Sequence, residues 1–213
     1  MRFFIDLRIQ IPDYENVLNM KDKFNISDKE LLTTRNAIFK YYGIPELEKN
    51  GYIKSPFKTS WFGQYDSNIR GYSYELCKLT NENQLHIITL NVFKGEKRIK
   101  IDLNIFELHE KINSISDLKE CDGIHFHLPP NDSTRMQLRS DDYKGPPLFY
   151  MLFLPEYKIG KYTTQSSFEK QLNKLRDLVI NDMANIDSFV KRWHELHKPN
   201  ITDKEGNIVK KIN

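Results

Sequence analysis

Apolar and polar positions alternate along three successive runs between residues 69 and 105. Tyr72, Tyr74 and Leu76 alternate with Ser73 and Glu75; Ile88, Leu90 and Val92 alternate with Thr89 and Asn91. Ile99, Ile101, Leu103 and Ile105 alternate with Lys100, Asp102 and Asn104. A period of two puts successive side chains on opposite faces, so each run predicts a half-buried strand. The polar turn at 80–83 and the connector at 94–97, with Gly95 where a positive φ is needed, join them into an antiparallel meander. One face is apolar and the other is expected to be wet.

Three further strands are expected. Ile5, Leu7, Ile9 and Ile11 alternate with Asp6, Arg8 and Gln10 over 2–11, and Pro12 ends the run. Residues 123–128 place Ile124, Phe126 and Leu128 on one face. Residues 148–154 form a continuous apolar run between Pro147 and Pro155, which suits a central strand covered on both faces. Residues 43–68 read as an ordered loop packed down by Trp61, Phe62 and Tyr65, and 106–121 as a short helix.

The period changes elsewhere. Ser27 and Glu30 have the spacing of a capping box, and the helix they open carries Leu31, Leu32, Ile38 and Phe39 and is expected to stop at Gly43. Ser166 and Glu169 form a second box. Beyond it Phe168, Leu172, Leu175, Val179, Met183, Ile186, Val190 and Trp193 recur at steps of three and four, predicting one helix of roughly 45 Å at 1.5 Å per residue. The pattern as a whole specifies an α+β fold: a mostly antiparallel sheet of about six strands packed against a long C-terminal helix and a shorter N-terminal one. One domain over 1–199 and a polar, mobile tail over 200–213 are expected.

Composition narrows the class. Of 213 residues, 39% are hydrophobic and 12% aromatic, which is a folding composition. The net charge of +3 neither demands nor excludes nucleic acid, since a footprint depends on clustering. Cys77 and Cys121 are too few for a disulfide framework. Asp6, Arg8 and Asp13 interrupt the N-terminal apolar residues, and no run of about 18 apolar residues occurs. A cytoplasmic protein without a membrane segment is expected.

Candidate chemistry concentrates in residues 123–143. His125 and His127 project from one strand face and could share a divalent transition metal, with His86, His109, Asp122, Asp132 or Asp141 as further ligands. Ser133, Thr134, Arg135 and Arg139 follow Pro129 and Pro130. Hydroxyls, turn amides and two guanidiniums could hold an anion or ligand, provided a helical turn aligns the arginines. The competing reading is a surface turn whose arginines pair with Asp141 and Asp142. Trp61, Phe62, Tyr65, Tyr72 and Tyr74, with Lys54, Lys58 and Arg70, could stack single-stranded nucleic acid or simply pack. His194 and His197, at i and i+3, could ligate a metal, but the C-terminal helix dipole explains them more cheaply.

Phosphate-loop, dinucleotide-binding and serine-hydrolase motifs are absent. The leading expectation is a non-catalytic binding or regulatory module that contacts a protein partner through the wet face and the 129–143 loop. A nucleic-acid binder and a metal-dependent hydrolase using His125 and His127 are the alternatives.

Overall fold

The computed structural model describes residues 24–81, 83–124, 128–149 and 154–209. The strand expected over 2–11 lies outside them, as do His125, Phe126 and His127 of the strand expected over 123–128. Among the described residues four α-helices cover one face of a mostly antiparallel seven-stranded sheet, the α+β architecture that the periodicities specify.

The meander forms as expected. Strands β3 (Gly71–Thr80), β4 (Gln84–Phe93) and β5 (Ile99–Leu108) pair antiparallel, with Leu76 opposite Ile88 and Ile88 opposite Leu103. The outer edge of β3 carries two short strands, β1 (Ile53–Lys54) and β2 (Phe62–Asp66). The outer edge of β5 carries β6 (Met136–Gln137), antiparallel, and β7 (Asn200–Thr202), parallel. Within the stretch expected as a mobile tail, Asn200–Thr202 therefore belong to the sheet, and Ile208 bridges back to Thr202. Thr202 is fully buried, its carbonyl accepts from the His109 amide, and Val209 folds back to bond Ile201. A polar sequence hid this because an edge strand needs backbone groups more than apolar side chains.

The helices depart from expectation in two places. Ser27 and Glu30 cap α1 (Asp28–Ile38) reciprocally. The chain does not stop at Gly43. It passes through a π-helical stretch, Phe39–Gly43, into α2 (Ile44–Lys49), and turns only at Gly51, where φ is +83°. The C-terminal stripe divides into α3 (Gln165–Ala184) and α4 (Ile186–Leu196), and Thr164 rather than Ser166 caps α3. At the break Asn50 Nδ2 donates to the Met183 and Ala184 carbonyls, each at 3.2 Å, and Asn185 Nδ2 donates to Asn181. The Asn50 amide occupies two carbonyls that a continuous helix would have used itself.

Helices and sheet enclose one large core of Leu76, Leu90, Ile101, Leu103, Phe39, Leu47, Val179 and Trp193 with their neighbours. Each such side chain contributes about 1.5–3 kcal/mol through burial. The run at 148–154 is not a central strand where it is described: residues 147–149 are helical and Leu148 is exposed, while 150–153 lie outside the described residues. Residues 106–121 hold a single 3-10 turn, Ile115–Leu118.

Gly43 is a packing glycine. A Cβ there would lie 2.6 Å from the Phe39 ring and 2.9 Å from Val179, both fully buried. Alanine should gain about 1 kcal/mol of helix propensity and lose about 1–3 to overpacking. Gly43→Ala is expected to lower unfolding stability by up to about 2 kcal/mol in urea titration; a raised midpoint would contradict this packing.

Candidate functional site: the second face of the sheet

The face of β3, β4 and β5 opposite the helices was expected to be wet. Half of it is dry. Cys77, Leu85, Ile87, Phe106 and Leu108 sit under Phe57, Ile112, Leu118 and Ile124 in a second apolar cluster. The other half is polar and also largely covered. Register aligns Glu75, Thr89, Asp102 and Gln137 in one row across four strands, and Ser73, Asn91 and Lys100 in the next. Asn104, Asp102 and Thr89 are buried. The cover comes from residues 57–61 and from the described residues 121–124 and 128–135, so the wet-face expectation fails through a tertiary contact.

A cavity of about 260 Å³ remains between cover and floor. Ser73, Glu75, Thr89 and Asn91 form its floor; Trp61 and Leu128, 42% and 57% exposed, stand at its margin. Ser73 Oγ donates to Asn91 Oδ1 at 2.8 Å. Glu75 supplies the one carboxyl among the described lining residues. Burial pushes its pKa up, with the nearby Ser55 opposing. Across Thr89 from Glu75, Asp102 is only 2% exposed, and its Oδ1 accepts no hydrogen bond. Its cation is Arg135, whose Nη1 stands 3.7 Å away, beyond hydrogen-bonding distance. Burial pushes the Asp102 pKa up to about 6 against the pull of Arg135.

The structure gives the four expected anion ligands different partners. Ser133 Oγ donates to the Pro130 carbonyl and Thr134 Oγ1 to the Asn131 carbonyl, both inside a 3-10 turn over Asn131–Thr134. No helical turn aligns the arginines, because β6 intervenes: Met136 pairs with Leu103, and the Leu138 amide bonds Ile101. Arg135 faces Asp102. Arg139 clamps the buried Asp182, with Nε to Oδ2 at 2.7 Å and Nη2 to Oδ1 at 2.5 Å, and the Tyr157 hydroxyl donates to the same carboxylate at 2.6 Å. Asp142 and Asp141 accept from the backbone amides of Arg139 and Gln137 instead.

The turn is held from beneath by Asn131. Its carbonyl accepts from Asn104, its Nδ2 donates to Gly206, and its Oδ1 accepts from Asn200. Trp193 Nε1 donates to the Thr134 carbonyl at 2.7 Å. A sequence clue existed for Asp182, an acid beside Val179 and Met183 on an apolar stripe. None existed for Asn131.

The metal pair His125 and His127 lies outside the described residues. Among those described, no group of three His, Cys, Asp or Glu side chains is placed to hold an ion. His86 packs beside Tyr52, and burial takes its pKa down to about 4. In the aromatic stretch Lys54 lies over the Phe62 ring and Lys58 pairs with Glu120, while Tyr65 is half exposed. No described helix is long and apolar enough to cross a membrane. A scan against models of known families finds no match, and no curated protein or solved structure matches the chain.

Asp102 makes stability depend on pH. Between its ordinary value near 4 and about 6, the folded protein holds a proton that the unfolded chain has released, so stability falls as pH rises through that window. The full cost, on the order of 2–3 kcal/mol, is present above it. Asp102→Asn is expected to be more stable than the parent by about 1–3 kcal/mol at pH 7.5, with the advantage gone by pH 4. Urea unfolding at both pH values checks this; a variant less stable at pH 7.5 would show that the carboxylate is compensated.

Proposed function

We propose that the protein is a non-catalytic binding module whose site is the cavity on the polar half of the sheet. One observation carries the reading: Glu75 sits partly buried in a floor otherwise built of neutral Ser73, Thr89 and Asn91, with the Trp61 indole at the margin. A carboxylate withdrawn from water favours a ligand that brings hydrogen-bond donors or positive charge. An aromatic face beside it favours the same chemistry. The occupant is a primary amine, a guanidinium or a donor-rich amide. A side chain of a protein partner can present such a group as well as a free small molecule can. The cavity size suits one such group, since ligand pockets run from about 300 Å³ upward for whole drug-sized molecules.

Trp61 reports occupancy directly, because the second tryptophan, Trp193, is fully buried. Titration with butylamine, methylguanidinium and N-methylacetamide is expected to shift the Trp61 indole resonance for at least one of them. Glu75→Gln should weaken the amine about tenfold or more, as expected for loss of a charge-assisted bond. No shift from any probe would sink the reading. Binding of single-stranded oligonucleotides at low salt would then favour the nucleic-acid alternative, and stoichiometric metal with hydrolytic activity would favour the enzyme.

A further inference from the structure

A second cavity, about 190 Å³, opens between α1, the β4–β5 connector and the segment 160–161. Arg35 lies in its wall and is 1% exposed. Its Nε donates to the Leu31 carbonyl at 3.2 Å and its Nη2 to the Phe93 carbonyl at 3.1 Å. Its Nη1 is buried and has no hydrogen-bond partner. Burial pushes its pKa down, with Glu96 and Asp28 opposing at a distance.

The carboxylates of this cavity are engaged with other cations. Asp28 pairs with Lys161 at 3.0 Å, and Glu96 pairs with Lys100 at 3.2 Å. Arg35 and Lys97 are left as two cations of the lining that form no ion pair among the described residues. A buried guanidinium without a counter-charge is costly, and a lone neutral carbonyl on each of two nitrogens compensates it only in part. Gly95 and Gly160 add no side chain to the cavity, and a Cβ on Gly95 would meet nothing within 4 Å.

We propose that this cavity is an oxyanion site, in which the Arg35 guanidinium and the Lys97 ammonium bind a phosphate or carboxylate group. Arg35 supplies the fixed donor, held in place by its two carbonyl bonds. Lys97, on the exposed connector, supplies the second charge, its side chain lying beside Gly160. The cavity lies on the helix side of the sheet, separate from the Glu75 cavity, and does not depend on the function proposed for that one. It also relocates the anion-binding guanidinium in this chain, since Arg139 already holds Asp182.

Calorimetric titration of the full chain with inorganic phosphate and, separately, with acetate tests this against chloride at equal ionic strength. Saturable binding of either oxyanion is expected, with a concentration-dependent rise in melting temperature that chloride does not give. Phosphate alone, acetate alone, or both identifies the source of the oxyanion. Arg35→Met should abolish the effect and Lys97→Ala should weaken it about tenfold. Lys97 is exposed, so that variant decides the matter if Arg35→Met fails to fold. No difference from chloride, or binding untouched by Lys97→Ala and by a folded Arg35→Met, overturns the proposal.

Discussion

The register of β4 between β3 and β5 is the constraint on which the rest of the structure depends. Gly71 stands opposite Phe93 and Thr80 opposite Gln84 without interruption, and β5 continues the same rows. A slip of one residue would send Leu76, Ile88, Leu90 and Leu103 to the far face and bring Glu75, Thr89 and Asp102 against the helices. Because both faces are covered, the slipped pairing would bury charge in one core and leave the other without its apolar wall. The two clusters and the polar row are therefore consequences of one ladder.

What covers the far face decides its chemistry. Phe57, Ile112, Leu118 and Ile124 complete an apolar core at one end. At the other end the cover is pinned through Asn131, which links β5, the turn after Pro130 and the C-terminal segment by three hydrogen bonds, two of them to backbone carbonyls. The turn thus has its polar groups committed to holding itself over the sheet. The cavity beside it exists because Trp61 and Leu128 approach the polar rows without filling them.

Three buried charges are treated differently. Asp182 is compensated by a bidentate Arg139, by Tyr157 and by Asn181. Arg139 sits at φ +68°, a left-handed conformation that costs a non-glycine residue about 1–2 kcal/mol. A fully paired buried carboxylate makes a sturdy joint between the β6 turn and α3, because breaking either half strands a charge. Asp102 and Arg35 lack such pairing. Each keeps one buried polar atom without a partner, and each faces a cavity or lies in the polar row that floors one. Uncompensated groups of this kind mark where a ligand can do what the protein has not done for itself.

The sequence by itself determined the meander, its faces, the α1 cap and the apolar stripe of the C-terminal helices, because each rests on a local period or a spacing of three. Ser27 and Glu30 cap a helix whatever lies beyond it, and Ile99, Ile101 and Leu103 must share a face in any strand. Only the tertiary structure decided the remainder. The division between α3 and α4 is occupied by Asn50, more than 130 residues away in the chain, and β7 exists because β5 offers an unpaired edge to a polar segment. The partners of Arg135 and Arg139 come from β5 and α3 rather than from the acids next to them. Whether a polar strand face is wet, and whether a guanidinium has a counter-ion, depends on long-range contacts that no periodicity encodes.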